Sequence, residues 1–194
     1  MSNIKTVDKI KNKKIIHLFL KNPGRVGSVA ASSPFLANKI IKRVNFSKAK
    51  CVVEFGSGTG SITKKILRAL PLDCLLLCFE IEPELVKKMK KEIHDPRVKI
   101  ICDSAENIDI YLKYYGFQKT DFVVSGLPLA SLPKKMTSGI LQNIYACLAT
   151  DGHYIQFQYS LASLRQIKYL FSSVAVSFVF LNFPPAFVYI CTKN

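Results

Sequence analysis

Residues 51–62, CVVEFGSGTGSI, run from five strand-forming residues into Gly56, Gly58 and Gly60, the densest glycine cluster in the chain, and on into a helical stretch. A strand that feeds a helix through glycines is a β–α turn, whose backbone can adopt positive φ and approach a ligand closely. The letters exclude two phosphate-binding versions of that turn. No Gly-Lys-[Ser/Thr] follows, so a triphosphate cradle lacks its lysine and its hydroxyl. The spacing is GxGxG, which omits the third, helix-packing glycine of the dinucleotide fingerprint. Glu54, two residues before Gly56, opposes a pyrophosphate and suits a cationic ligand.

Outward from this turn the same alternation repeats. Strands are expected at CLLLCFE (74–80), VKIIC (98–102), DFVVSG (121–126) and GHYIQFQY (152–159). Helices are expected at 61–70, PELVKKMKKEI (83–93), near 106–115, at PKKMTSGILQNIYACL (133–148) and at SLASLRQIKYLF (160–171). Upstream, SSPFLANKIIKRV reads as a helix capped by Ser32 or Ser33 with Pro34 in its first turn. Alternating β and α with apolar strands predicts a parallel sheet with helices on both faces. The last apolar run, 174–191, is broken by Asn182 and Pro184–Pro185 and divides into two strands joined by a short turn, which must be antiparallel. The expected fold is α/β and Rossmann-like: a seven-stranded, mostly parallel sheet with an antiparallel final strand.

In such folds ligands lie across the carboxyl ends of the strands. Glu54 stands just before the glycines, Glu80 ends the second strand and Asp103 follows the third. A carboxylate at Glu80 can accept from a ribose 2′,3′-diol, and one at Asp103 from an adenine amino group. Three carboxylates and no basic residue in the glycine loop describe a nucleoside pocket that accepts positive charge. S-adenosylmethionine, a sulfonium with an α-amino group, fits that description.

VVEFGSGTGSITKKIL, CFEIEPEL and VKIICDSAENI together resemble the successive cofactor motifs of class I S-adenosylmethionine-dependent methyltransferases, in particular the branch of rRNA adenine dimethylases and bacterial phospholipid N-methyltransferases. The resemblance implies that Glu54, Gly56, Gly58 and Gly60 line the methionine part, Glu80 takes the ribose and Asp103 with Ser104 flanks the adenine, with Ser57, Ile81, Ala105 and Ser125 as further cofactor-binding residues. In the adenine dimethylases the fourth strand ends in Asn-[Leu/Ile]-Pro-[Tyr/Phe], whose ring stacks on a flipped base. Here the stretch is SGLPL (125–129): Ser125 replaces the amide and Leu129 the ring. An aliphatic side chain offers a base no π-face, and stacking is worth ~1–3 kcal/mol per base.

NPGRVGSVAASSPFLANKI (22–40), VVSGLPL, GHYIQFQYS and NFPPAFVY resemble the short phospholipid N-methyltransferases, which convert phosphatidylethanolamine stepwise to phosphatidylcholine. That resemblance implies a phospholipid acceptor, with nucleic acid the weaker partner. Tyr159 and Tyr189 are the candidate catalytic residues, able to accept from the acceptor ammonium and to hold a methylated one by cation–π attraction. Lys21 or Arg25 could pair with the lipid phosphate. An RNA adenine N6-methyltransferase and a non-catalytic cofactor-binding module are the alternatives.

Charge supports a polyanionic partner. Of a net +15, residues 1–50 carry +11, with twelve Lys and Arg against Asp8 alone. Residues 1–20 are expected to form a basic amphipathic helix that meets an anionic membrane surface, and 21–194 the methyltransferase domain. The start has no secretory signal, and the 174–191 run is too interrupted to span a bilayer, so the expected location is cytoplasmic and peripheral to the inner membrane. Six scattered cysteines without CxxC or zinc-ligand spacing read as buried, reduced thiols, and no metal site is expected.

Overall fold

The computed structural model describes residues 34–182 and 184–194; the expected helix over 1–20, Lys21, Arg25 and the Ser32/Ser33 cap lie outside the described residues. Helix α1 (Pro34–Lys42) precedes an alternating series: β1 (Cys51–Phe55), α2 (Ser61–Ala69), β2 (Leu75–Phe79), α3 (Pro83–Glu92), β3 (Val98–Ile101) and α4 (Ile108–Tyr114). Then come β4 (Thr120–Ser125), α5 (Lys134–Cys147), β5 (Leu148–Gln158), α6 (Leu164–Leu170), β6 (Ser173–Val179) and β7 (Ala186–Thr192). Short 3-10 turns at Ala105–Asn107 and Leu129–Ser131 follow β3 and β4.

One seven-stranded sheet has the order β3-β2-β1-β4-β5-β7-β6. β1 to β5 pair in parallel, and β7 runs antiparallel to both β5 and β6. This is the Rossmann-like arrangement expected, with one feature that a linear reading does not supply: the last strand enters between β5 and β6, leaving β6 at the edge.

Every residue of β1 is buried because both faces of the sheet are covered. On one face Leu36 and Ile40 of α1, Ile62 and Ile66 of α2 and Met89 of α3 meet Val52, Leu76, Val124 and Ile155. On the other, Ile108 and Leu112 of α4, Ile140 and Ile144 of α5 and Ile167 of α6 meet Val53, Phe55, Leu77, Val123 and Tyr154. Burial of such side chains contributes about 1.5–3 kcal/mol each. Five of the six cysteines lie in this interior as expected, whereas Cys102 is exposed, since it stands beyond the end of β3 where helix cover stops. No helix among the described residues is long and apolar enough to cross a membrane.

The strand order reverses between β1 and β4, which pair directly. At such a reversal the two following connections leave in opposite directions and open a crevice at the carboxyl edge. The glycine turn after β1 and the SGLPL stretch after β4 flank that crevice.

Candidate active site

Three left-handed glycines shape the turn after β1. Gly56 has φ +67°, Gly58 +57° and Gly60 +79°. Nothing lies within 4 Å of where a Cβ on Gly58 would project, so its backbone faces open space. At Gly60 a Cβ would stand 3.0 Å from Ile93 Cδ1, so this glycine lets the start of α2 close against the end of α3. The turn is stitched to β2: Gly56 N and Ser57 N donate to Phe79 O at 2.9 and 3.3 Å, and the buried Ser57 hydroxyl donates to the same carbonyl.

Glu80, 5% exposed, governs the next layer. Its Oε1 accepts from Ile81 N at 2.8 Å and Glu82 N at 3.0 Å, and its Oε2 from Gly58 N at 2.9 Å. A carboxylate offers about four lone-pair positions, so Oε2 keeps one toward the crevice. One ribose hydroxyl can bind there with the loop as it stands. The two-hydroxyl contact expected from the sequence requires Gly58 N–H to leave Oε2.

Glu54 points away from the α4–α6 face, into the layer beneath α2. Its Oε2 accepts from the Thr63 hydroxyl at 2.5 Å and the Cys78 thiol at 3.5 Å. Burial lifts its pKa from 4.5 to about 7, against the lowering effect of those two donors. Glu54 therefore lies beneath the glycine turn, as a partly protonated support at neutral pH.

After β3, Asp103 caps its own loop: Oδ1 accepts from Ser104 N at 2.8 Å, and Oδ2 from Asn107 Nδ2 at 2.9 Å and Tyr111 OH at 3.2 Å. Ser104 is buried and accepts from Glu106 N, which starts the 3-10 turn; Ile81 and Ala105 are buried beside it. Burial, then the Asp103 charge, raises the Tyr111 pKa. The loops thus bring Gly56, Ser57, Gly58, Gly60, Glu80, Ile81, Asp103, Ser104 and Ala105 to the carboxyl ends of three adjacent strands. Open space over Gly58, a free lone pair on Glu80 and the lack of any Lys or Arg at 54–60 fit a nucleoside carrying positive charge.

Across the crevice, Ser125 is fully buried and its Oγ accepts from Leu127 N at 3.3 Å. The stretch after it is bare backbone: a Cβ on Gly126 would lie 2.5 Å from Cζ of Phe157, whose ring fills that volume. Gln156 holds the exit in place, donating from Nε2 to Leu127 O at 3.0 Å and to Phe157 O at 2.8 Å while its Oε1 accepts from Tyr154 OH. Leu127 and Leu129 are buried at 6% and 2%, and neither presents a ring. The two expected tyrosines differ. Tyr159 is exposed just past β5. Tyr189, inside β7, is buried and donates to Ser160 O at 2.9 Å, and burial pushes its pKa up to about 12. Gln156, Gln158, Phe157 and Thr63 were not among the expected site residues, though two glutamines in the apolar run YIQFQY are a visible anomaly for a buried strand.

Comparison with known proteins agrees with this geometry. A family model described as a methyltransferase domain matches residues 52–152, from β1 into β5. An ornithine lipid N-methyltransferase from Singulisphaera acidiphila is 29% identical over 175 residues, covering 89% of this chain and 91% of that protein. Ribosomal RNA small subunit methyltransferase A from Ureaplasma urealyticum is 26% identical over 156 residues, 78% of this chain but 54% of that protein, so the chain spans about half its length. Among solved structures, precorrin-6y C5,15-methyltransferase from Geobacter metallireducens superposes with a TM-score of 0.65 at 14% identity, over 82% of this chain and 88% of that one.

Proposed function

The chain belongs to the methyltransferase-domain family, as a class I S-adenosylmethionine-dependent enzyme, and from that premise we propose that it N-methylates the amine of a lipid headgroup, phosphatidylethanolamine first, at the cytoplasmic face of a membrane. The observation that carries this reading is the exit of β4. Leu127, Pro128 and Leu129 wall it, so the residues that follow β4 offer a base no ring to stack on. The lipid N-methyltransferase relative, matched over most of both chains, supports it.

The rim supports a membrane partner. β5 and β6 point the same way, so the residues after each emerge on the edge that holds the crevice. Leu161 follows β5, and Phe180 and Leu181 follow β6, exposed at 46%, 75% and 64%. Exposed apolar side chains suit the headgroup layer, where each Lys or Arg contributes ~1 kcal/mol near an anionic surface. The basic residues 1–20 would supply that charge.

When bound, S-adenosylmethionine supplies an electrophilic methyl on a sulfonium. The chain's residues hold and orient the two reactants. Glu80 and the glycine turn hold the nucleoside, and Asp103 and Ser104 frame its base. A primary ammonium has a pKa near ~10, and only its neutral form has a lone pair for attack. In this reading the hydroxyl of Tyr159, exposed just past β5, accepts from the amine and its face holds the methylated product. Tyr189 acts one step removed, fixing the Ser160 carbonyl and with it the loop that carries Tyr159. The Leu127–Leu129 wall excludes water, and in-line geometry with reacting atoms ~3–3.5 Å apart supplies much of the rate.

A second reading, methylation of an RNA adenine, is favoured by the rRNA methyltransferase match and by the +11 charge of residues 1–50. Methyl-labelled cofactor is incubated with the protein and phosphatidylethanolamine vesicles, ornithine-lipid vesicles or ribosomal RNA. Label in a vesicle amine is the expected result; label in RNA alone defeats the lipid reading.

A further inference from the structure

Gln158 is the last residue of β5 and is 5% exposed, yet neither its Nε2 nor its Oε1 has a hydrogen-bond partner among the described residues. Leaving such a group buried and unpaired is costly, and native structures keep few of them. Its neighbour in the same strand makes the contrast sharp. Gln156 uses its amide fully, on Leu127 O, Phe157 O and Tyr154 OH. Successive side chains alternate across a strand, so Gln158 shares the face of Gln156 and Tyr154 and stands one step nearer the carboxyl edge.

The register places that step. Ser125 pairs with Gln156, so Gln158 lies level with the Gly126–Leu127 exit; on its other side it pairs with Phe187 of β7. In the loop that follows, Tyr189 holds Ser160, and Ser163 Oγ is likewise buried and unpartnered. An unsatisfied carboxamide thus stands between the β4 exit and the Tyr159 loop, on the acceptor side of the crevice and across β1 and β4 from Glu80.

We infer that Gln158 binds the acceptor headgroup, Oε1 accepting an N–H of the reacting amine and Nε2 donating to a neighbouring oxygen of the same headgroup. The inference rests on the amine-lipid reading above and deepens it: the substrate class is an amine with a phosphate or carboxylate oxygen within a few bonds. A carboxamide has two donors and two acceptor positions on separate atoms, so it meets both requirements at once, whereas the one hydroxyl proton of Tyr189 is already given to Ser160 O. It also holds a primary and a singly methylated amine through Oε1, and a fully substituted headgroup only by its oxygen through Nε2, so its grip loosens as N–H groups are consumed.

The test uses the full chain with phosphatidylethanolamine in anionic vesicles, ribosomal RNA in parallel, and two variants. Gln158→Leu keeps the volume and removes both polar atoms; Gln158→Glu keeps the acceptor and loses the donor. The expected result is a kcat/KM for vesicles lower by ~10–100-fold in Gln158→Leu, carried mainly by KM, with a smaller fall in Gln158→Glu. Cofactor Kd is unchanged, and the denaturation midpoint of Gln158→Leu is equal to or above that of the parent, because an unpaired polar group has gone. A structural role would move the midpoint downward and leave KM alone. Vesicle transfer by the parent with KM unchanged in both variants overturns the assignment only. Transfer by the parent to RNA and not to vesicles overturns the lipid reading and this assignment with it.

Discussion

Glu54→Gln offers a test in which the sign and the size both come from the structure. The Glu54 carboxylate is buried beneath the glycine turn with Thr63 and Cys78 as its donors, and its pKa is lifted from 4.5 to about 7, burial being the cause. The folded chain therefore keeps a proton that the unfolded chain gives up through the intervening window. Stability from this group is fully present below the unfolded value and is lost as pH rises through the folded one. The shift amounts to on the order of 3 kcal/mol over the whole window, of which about 1 kcal/mol falls between about pH 6 and about pH 8. A glutamine keeps an oxygen for Thr63 and Cys78 but does not titrate. Urea denaturation of both proteins at the two pH values isolates the term, since every other titrating group, including His153, is common to both. The parent should lose about 1 kcal/mol relative to the variant on going to the higher pH, or about 2–4 °C in Tm for a domain of this size. A parent and variant with parallel pH profiles would refute the buried-acid account, and so would a parent that gains stability relative to the variant.

Glu80→Gln keeps an oxygen for Ile81 N and Glu82 N but turns an amide toward Gly58 N, so cofactor affinity by calorimetry should fall ~10–100-fold, ~1.4–2.7 kcal/mol. Gly58→Ala meets no atom but must hold φ +57°, so a stability cost of ~1–2 kcal/mol is expected with a larger loss of cofactor binding; a variant that binds normally would empty the space over Gly58 of meaning. Gly126→Ala drives a methyl into the Phe157 ring and should cost ~1–3 kcal/mol, partly recovered by adding Phe157→Leu, as measured in a double-mutant cycle. Deleting residues 1–20, or replacing Phe180 and Leu181 by serine, should weaken sedimentation with anionic vesicles and leave cofactor affinity unchanged; unaltered sedimentation in both variants removes the proposed membrane rim.

Much of the fold was legible because its signals are local. The observed elements fall within a few residues of those expected, since apolar runs of strand length alternate with helical periodicity and glycines mark the first turn. The placement of the three carboxylates was legible for the same reason: Glu54 lies inside β1, and Glu80 and Asp103 follow β2 and β3, strands that the pattern identifies. Their bonding was not. Glu80 is half claimed by Gly58 across 22 residues, and Asp121, unremarked in the linear reading, ties down Lys50 N and Cys51 N from about 70 residues away. Tyr189 looked equivalent to Tyr159 until β7 was seen to bury it against Ser160. The acceptor side depends on pairings of this kind throughout.

The amino-acid order alone therefore determined the alternating architecture, a first turn without the phosphate-cradle residues, and carboxylates just past the ends of β2 and β3. Each depends on residue type and on spacings shorter than one β–α unit. Tertiary structure decided the insertion of β7 between β5 and β6, the Phe157 ring over Gly126, the burial that raises the Glu54 pKa and the amide of Gln158, unpaired among the described residues. Burial and hydrogen-bond satisfaction belong to a side chain's neighbours in space, and those neighbours come from strands that only the closed sheet brings side by side.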